Sequence, residues 1–306
     1  MERKPLFKNV RIIVNPASGQ DDLLLSVVNR IFRPLGIQWR VYITQGEGDG
    51  RDLARKALRK GTDLVIVHGG DGTIMEVANG LLGHEVPMAV LQGGTGNAIA
   101  AEFGVSARLE DALRAIALGL GHVRPMDVGQ VVFDAQQDPC HFLLRADTGL
   151  STEVMRETSA EMKSRFGILA YAVTLAQKLT QSPDITFMLD IDGEAVHARG
   201  AACVIANIGS VGALDMRIGP SVQPDDGLLD VFVLNTQAPT LLSVAASALQ
   251  LADLTDVFDH WQARAVAVRT DHPLPMGLDG DPYAETPFRA SVLPGALPVF
   301  VPHSAI

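Results

Sequence analysis

The chain has 306 residues, of which 47% are apolar and 20% are charged. This composition is typical of a globular protein, and the length exceeds what one ordinary hydrophobic core holds, so two domains are expected. The formal charge of −10 argues against a nucleic-acid partner, because phosphate backbones select for an excess of Lys and Arg. It also argues against purely electrostatic attachment to anionic lipid.

Targeting and membrane signals are weak. The first apolar run is short and charged residues precede it, which does not fit a signal peptide. The stretch 231–252 carries no charge, but polar residues interrupt it, so a strand, a turn and an amphipathic helix are predicted there. Cys140 and Cys203 lie in apolar runs and are predicted to be buried free thiols. We therefore expect a soluble, cytoplasmic protein.

Strand and helix patterns alternate along the first part of the chain. Apolar, β-branched runs predict strands at 10–14, 39–44, 63–70 and 87–94, and the last two end in glycine pairs. Helical spacing of apolar residues predicts helices at 22–32, 51–61, 73–83 and 108–119. This alternation predicts a parallel sheet covered by helices, in which ligands bind beyond the carboxyl ends of the strands.

The pattern changes near His122. Strands are predicted at 122–133, 140–147, 185–193, 197–209, 227–234 and 264–270, with one long helix near 160–180. The sequence thus predicts an α/β domain at 1–124 and a β-sandwich at 125–290. The tail at about 291–306 is a candidate for returning to the first domain. Asp63 and Asp147 are predicted to be turn or cap residues.

The segment Gly69–Thr73, GGDGT, follows a buried strand and opens a helix. Its glycines let the backbone approach an anion, and the helix N-terminus supplies N–H groups and a positive dipole end. Asp71 is unusual there, because a carboxylate repels phosphate unless Mg²⁺ or a transferable proton lies between them. A simple strand-to-helix turn, with Asp71 as its N-cap, remains the alternative.

Three further turns are expected at the same edge: 93–97 (GGTGN), 15–19 (NPASG) and 46–50 (GEGDG). Two glycine turns after neighbouring strands predict a nucleotide cleft, with Thr95 and Asn97 as donors to phosphate or ribose. The chain has neither the GxxxxGK[ST] motif of P-loop enzymes nor the motif set of protein kinases.

The segments NPASG, GGDGTIMEVANGL and GGTGNAIA together resemble the signature blocks of the diacylglycerol kinase catalytic family. That family includes bacterial diacylglycerol kinases, YegS-type lipid kinases and sphingosine kinases. The resemblance continues through 146–155, 163–173, 206–234, 278–282 and 292–302. It implies an NAD-kinase/diacylglycerol-kinase-like α/β domain followed by a β-sandwich on the lipid side. It also implies transfer of the ATP γ-phosphoryl group to a lipid hydroxyl.

The resemblance also assigns site residues. The implied ATP site consists of Asn15, Thr44, Gly69, Gly70, Asp71, Gly72, Thr73, Glu76, Gly94, Thr95, Gly96 and Asn97. The implied catalytic base is Asp281, in the place of a glutamate, with Asp279 as the competing candidate. Asp71 is predicted to act in catalysis beside a Mg²⁺ ion that bridges the phosphates. A structural Mg²⁺ ion is implied at Asp226 and the carbonyl groups of Gln223 and Leu228.

The chain departs from the family pattern at Ala98 and Ala101, where an acidic and a basic residue are usual, and at Asp281. The predicted cofactors are ATP and Mg²⁺. The predicted partner is a lipid substrate, most simply diacylglycerol, met transiently at a membrane surface; homodimer formation stays open. Two alternatives remain: a soluble-acceptor kinase resembling NAD kinases, and a non-catalytic, nucleotide-responsive lipid-binding protein.

Overall fold

The computed structural model describes residues 5–18, 23–133, 138–150, 184–210, 222–235 and 258–303. The helices predicted near 160–180 and after residue 234 lie outside the described residues. By contacts, the described residues form two compact units. One contains the residues up to Met126, Ser210 and the residues from Gly295 onward; the other contains Asp127 to Gly209 and the described residues from Val222 to Pro294.

The N-terminal part of the first unit, as far as the structure describes it, contains four parallel strands. They are β1 (Asn9–Val14), β2 (Gln38–Ile43), β3 (Leu64–Gly69) and β4 (Met88–Gln92), in the order β2-β1-β3-β4. Ile12 pairs with Val41 on one side and with Ile66 on the other. All six residues of β3 are buried, which explains why its sequence is a continuous apolar run without alternation.

The described residues of this unit also form five helices. They are α1 (Leu24–Phe32), α2 (Asp49–Leu58), α3 (Asp71–Leu81), α4 (Ala98–Glu102) and α5 (Leu109–Ala117), with 3₁₀ turns η1 (Pro16–Ser18) and η2 (Arg33–Leu35). In α1, Leu24, Val28 and Phe32 recur every fourth residue and are buried, as helical spacing predicts. Helix α4 was not predicted. Helices α2 and α3 approach so closely that a Cβ on Gly80 would lie 2.5 Å from the carbonyl oxygen of Arg51.

The second unit contains the strands of a β-sandwich. One layer contains the second half of β5 (Gly121–Val132), β6 (Cys140–Phe142), β8 (Ile185–Ile191), β9 (Glu194–Gly200), β13 (Ala265–Thr270) and the first half of β16 (Phe288–Pro302). The other layer has the order β12-β11-β10-β7-β14-β15. Its strands are β7 (Arg145–Gly149), β10 (Ala202–Ala206), β11 (Leu229–Leu234), β12 (Phe258–Ala263), β14 (Pro275–Leu278) and β15 (Asp281–Glu285).

The two layers face each other across an apolar core. Phe142, Phe187 and Val268 from the first layer lie in the same buried cluster as Ile205 and Val231 from the second. Strand β8 alternates between buried and partly exposed residues, as expected for a strand with one face on the core. Fold class is therefore confirmed: an α/β unit with parallel strands and a β-sandwich.

Two details correct the sequence predictions, and a third concerns the tail at about 291–306. The strand predicted at 197–209 is two strands, because the chain passes from β9 in one layer to β10 in the other after Gly200. Cys203 is buried as expected, but Cys140 is partly exposed. The first half of the last strand, β16, pairs with β13 in the second unit, where Ala290 lies opposite Val266. Its second half belongs to the first unit, where Val299 pairs in parallel with Met88 of β4.

Candidate active site

The carboxyl ends of the four parallel strands bring the predicted nucleotide residues to one edge of the sheet. Asn15 follows β1, Thr44 follows β2 and Gly70 follows β3. The Asn15 N–H donates to the carbonyl oxygen of His68 at 2.9 Å, and the Thr44 N–H donates to that of Val14 at 3.0 Å. Polar loops are thus anchored to the strand ends, as ligand sites in parallel sheets require.

The N-terminus of α3 is available to an anion. Gly70 is its extended N-cap residue, and the helix begins at Asp71. Among the described residues, no acceptor contacts the N–H groups of Asp71, Gly72 or Thr73. Gly72 is exposed, and a Cβ placed on it would meet no described atom within 4 Å. Unpaired N–H groups beside open space at the positive end of a helix dipole form a phosphate-binding arrangement.

The two glycine loops lie directly against each other. A Cβ on Gly94 would be 2.5 Å from the Cα of Gly70, and one on Gly93 would be 2.7 Å from the nitrogen of Gly69. Real side chains do not tolerate such distances to backbone atoms. These glycines are therefore required by contact between the loops, in addition to the approach to an anion that the sequence predicted.

The Asp71 carboxylate joins the same two loops. Its Oδ2 accepts the N–H of Ala98 at 3.1 Å, and its Oδ1 accepts the N–H of Ile99 at 3.1 Å. Asp71 thereby caps α4, which explains a carboxylate inside an anion-binding turn without a cation or a transferable proton. That a cation or a transferable proton lies beside Asp71 stays a prediction. The catalytic role of Asp71 stays a prediction.

Glu76 makes the equivalent contact on the other side of α3. Its Oε1 accepts the N–H of Gly48 and its Oε2 accepts the N–H of Gly50, both at 2.8 Å. Gly48 is the N-cap residue of α2, so Glu76 satisfies N–H groups at the start of that helix. Glu76 was predicted to bind nucleotide; here both of its oxygens hold the loop after β2.

Two predicted amide donors are also used inside the site. The Asn15 side chain donates to Oγ1 of Thr73 at 2.8 Å, which ties the loop after β1 to α3. The Asn97 side chain donates to the Gly94 carbonyl at 2.7 Å and accepts the Gly94 N–H at 2.9 Å, within its own loop. Thr95 and Gly96, between them, are exposed and remain the parts of this loop that face outward.

In the second unit, the predicted carboxylates lie at a tight hairpin. Asp279 and Gly280 both have positive φ and connect β14 to β15, where Leu278 pairs with Asp281. The Asp279 carboxylate accepts three backbone N–H groups, from Leu143 at 2.9 Å, Leu144 at 2.8 Å and Arg145 at 3.0 Å. Burial raises the pKa of the Asp279 carboxyl to about 6, although these N–H groups and Arg145 act in the opposite direction.

Asp281 has a different environment. It is the first residue of β15 and is exposed. Its carboxylate has no hydrogen-bond or ion-pair partner among the residues that the structure describes. Of the two candidates for the base, Asp281 is therefore the one whose carboxylate is free to accept a proton from a ligand, whereas Asp279 holds the β6–β7 connection.

The implied structural Mg²⁺ site falls on the turn before β11. Asp226 and Gln223 are exposed, and Asp226 Oδ1 accepts the Leu228 N–H at 3.0 Å. A carboxylate and two carbonyl groups are oxygen donors of the kind that Mg²⁺ takes, with water completing the coordination, so these residues fit a hard cation in kind. The described residues contain no group of three His, Cys, Asp or Glu side chains suited to a metal ion.

Comparison with known proteins agrees with this arrangement. Residues 9–131 match the model of the diacylglycerol kinase catalytic domain, and residues 145–301 match that of the YegS C-terminal NAD kinase beta sandwich-like domain. The chain belongs to the diacylglycerol kinase family. It is accordingly a phosphotransferase of the lipid kinase type that acts on an alcohol group.

Individual relatives cover nearly the whole chain. A probable YegS-like lipid kinase of Klebsiella pneumoniae is 30% identical over 94% of this chain and 93% of its own length. The diacylglycerol kinase of Bacillus subtilis is 29% identical over 90% of each chain. A crystal structure assigned to the diacylglycerol kinases, from Bacillus anthracis, superposes with a TM-score of 0.80 at 26% identity, covering 98% of this chain and 99% of that one.

Two of the departures from the pattern of the diacylglycerol kinase family, Ala98 and Ala101, take part in backbone contacts of α4. Ala98 is buried and supplies only its N–H group to Asp71, which any residue except proline could do. The Ala101 N–H donates to the Asn97 carbonyl at 2.9 Å in α4. No helix within the described residues is long and apolar enough to span a membrane.

Two residues that the sequence analysis missed support the sites of the second unit. Asp127 is buried, and its Oδ2 accepts the N–H of Gly227 at 2.6 Å, next to the predicted metal ligand Asp226. The buried Asn207 side chain donates to the carbonyl groups of Asp127 and Leu143 at 2.9 Å each. An aspartate between two apolar residues, Met126 and Val128, was the signal that could have identified Asp127.

Asp147 also differs from its prediction. It was expected in a turn or at a cap, but it lies within β7 and is 1% exposed, with Arg145 Nε 3.5 Å from its Oδ2. Asp63 does act as a cap, because its carboxylate accepts the N–H groups of Lys8 and Asn9 where β1 begins.

Proposed function

We propose that this protein transfers the γ-phosphoryl group of ATP to the hydroxyl group of diacylglycerol or a related membrane lipid. The observation that carries the proposal is the N-terminus of α3, where the N–H groups of Asp71, Gly72 and Thr73 have no acceptor among the described residues and a Cβ on Gly72 would meet no described atom within 4 Å. That arrangement suits the phosphates of a nucleotide. The names of the relatives, lipid kinase and diacylglycerol kinase, support a lipid as the acceptor.

Each group of site residues would have its own role in the reaction. The first turn of α3 and the exposed loop at Thr95 and Gly96 would hold the phosphates, while Asp71 and Glu76 keep both loops in place. Asp281 would accept the proton of the acceptor hydroxyl, which requires a distance of about 2.6–3.2 Å in the complex. Bound Mg²⁺ would neutralise charge on the transferred group. Asp226 with the carbonyl groups of Gln223 and Leu228 would hold a second, structural ion.

A panel of acceptors tests the proposal. The purified protein is incubated with Mg·ATP and, separately, diacylglycerol, a sphingoid base, NAD and a simple sugar, and phosphorylated products are resolved by thin-layer chromatography. The expected result is a phosphorylated lipid, lost in Asp281→Asn and retained in Glu285→Gln, an exposed acid at the other end of β15. Phosphorylation of NAD or the sugar alone would favour a soluble acceptor. Nucleotide binding without any product would favour a non-catalytic protein.

A further inference from the structure

The outer face of α2 is strongly basic. Six side chains along α2 and the turn after it are exposed: Arg51, Asp52, Arg55, Lys56, Arg59 and Lys60. Five of these six side chains are cationic, in a chain whose net charge is −10. We call Arg51, Arg55, Lys56, Arg59 and Lys60 the α2 basic face. At 3.6 residues per turn, these positions cover about half of the circumference of α2 and of the turn after it, and Asp52 lies among them.

Close packing on the opposite side of α2 sets the orientation of the α2 basic face. Ala54 and Ala57 are completely buried. Gly50 lies so near α3 that an added Cβ would be 2.8 Å from the Cβ of Glu76, and the carbonyl of Arg51 lies against Gly80. Rotation of α2 to hide the cationic side chains would break these contacts, so the face is held outward.

The cations of this face have little internal compensation. Asp52 lies 3.9 Å from Arg51 and 4.0 Å from Arg55, with all three side chains at least half exposed, and such pairs contribute little. Three like-charged pairs four residues apart, Arg51–Arg55, Arg55–Arg59 and Lys56–Lys60, are destabilising. In α5, by contrast, Glu110 contacts Arg114 at 2.7 Å and Arg30 of α1 at 2.6 Å.

Favourable interaction with the helix dipole explains only part of this pattern. Cations near the C-terminus of α2 are stabilising, which covers Arg59 and Lys60. Arg51 lies in the first turn, where a positive charge is unfavourable. Lys56 is additionally held above the ring of Tyr42, with its Nζ 5.0 Å from the ring centroid. The α2 basic face is therefore a cationic surface suited to an anionic partner.

We propose that the α2 basic face docks on the anionic phospholipid surface of a bilayer. The proposal rests on the proposed function, because an enzyme that phosphorylates a membrane lipid must reach that surface. Each Lys or Arg near an anionic bilayer is attracted to it, so five can offset part of the repulsion caused by the acidic remainder of the chain. Screening confines this attraction to about 8–10 Å at physiological salt, so docking is reversible and sensitive to salt.

Vesicle sedimentation without ATP or acceptor tests the docking. Wild-type protein is expected to bind phosphatidylcholine vesicles that contain phosphatidylserine at low salt, and not vesicles of phosphatidylcholine alone. Arg55→Glu/Lys60→Glu should reduce the partition coefficient at least about tenfold, as the loss of two contacts predicts. Its helix should remain stable, because each new carboxylate would lie one turn from a cation.

The matched control is Arg33→Glu/Arg269→Glu, which makes the same change in net charge at exposed positions outside α2. It should bind vesicles nearly as the wild type does. Equal loss of binding in both variants, binding of wild type to uncharged vesicles, or capture of a model RNA in place of the vesicles would overturn the proposal. Kinase assays in neutral detergent micelles distinguish this proposal from the proposed function. Absence of turnover in the micelles would contradict the proposed function alone, whereas the vesicle sedimentation experiment tests the docking.

Discussion

Glu76 holds Gly50 by a hydrogen bond of 2.8 Å from the Gly50 N–H to Oε2, and its other oxygen holds Gly48. On the same helix, Asp71 holds the start of α4 in the same way. Helix α3 thus uses two carboxylates, one on each side, to position both neighbouring loops. These contacts convert an anion-binding helix terminus into a site of defined shape.

We expect Glu76→Gln to weaken this arrangement. The amide has one acceptor for two N–H groups, and its NH₂ group would face a donor, so the loss should be about 1–2 kcal/mol. The melting temperature should fall by about 2–4 °C per kcal/mol, and the KM for ATP should rise. Glu47→Gln, an exposed acid in the same loop, is the control. If both variants melt and bind ATP like the wild type, Glu76 does not position the loop.

Gly72 and Gly94 should respond oppositely to alanine. A Cβ on Gly72 meets no described atom within 4 Å, and alanine favours a helix by about 0.5–1 kcal/mol, so Gly72→Ala should not lower the melting temperature. Its methyl group would occupy the space proposed for phosphate and raise the KM for ATP about tenfold, equivalent to about 1.4 kcal/mol.

Gly94→Ala instead places a methyl group 2.5 Å from the Gly70 Cα and should destabilise the fold by about 1–3 kcal/mol. Thermal unfolding together with ATP titration distinguishes the two effects. An unchanged ATP affinity in a stable Gly72→Ala protein would place the phosphates elsewhere.

The strands β1 to β4 and the loops that follow them were predictable, because buried parallel strands are apolar runs and glycine turns mark their ends. Helix α4 was not, since its five residues carry little local signal and its start depends on Asp71, 27 residues earlier. The division between β9 and β10 depends on the layer that each strand joins, which local pattern does not encode. Asp127 contacts Gly227 across 100 residues, and only the folded chain shows that contact.

Asp226→Ala should lower the melting temperature and reduce its increase on addition of Mg²⁺. A ligand that binds only the folded state raises stability according to its concentration and affinity, and this rise disappears with the site. Asp259→Ala removes an exposed carboxylate from β12 of the same unit and should keep the full response to Mg²⁺. Thermal scans across a Mg²⁺ series provide the measurement. The structural ion does not bind at Asp226 if the two variants respond alike.

Asp279 should make the stability depend on pH. Burial raises the pKa of its carboxyl to about 6 in the folded protein, above its ordinary value of 3.8, so the folded state retains the proton over a range in which the unfolded chain releases it. The contribution to stability is present below about pH 4 and is lost as the pH rises to about 6. Urea unfolding from pH 4 to 7 should show this loss in the wild type and a smaller one in Asp279→Asn. If the free energy of unfolding changes with pH in the same way in both proteins, Asp279 is not the source of the pH dependence.

Asp281 is expected to be the general base. It is exposed at the first position of β15, and Pro282 follows it, which restricts its backbone to extended geometry and helps to direct the carboxylate. Asp281→Asn should lower kcat by a factor of about 10²–10⁴, the usual effect of losing a general base, with little change in the KM for ATP. Asp281→Glu should keep measurable activity, because it restores the residue usual in the family.

Thermal stability distinguishes the role of Asp281 from that of Asp279. The Asp281→Asn variant should have the melting temperature of the wild type, because the Asp281 carboxylate has no partner among the described residues. The Asp279→Asn variant should have a lower melting temperature, because one of the three backbone N–H groups that Asp279 accepts would then face an NH₂ group. Steady-state kinetics and circular dichroism on both variants decide the assignment. If Asp281→Asn turns over normally while a folded Asp279→Asn protein is inactive, the proton passes to Asp279, and the hairpin carboxylate acts in chemistry as well as in structure.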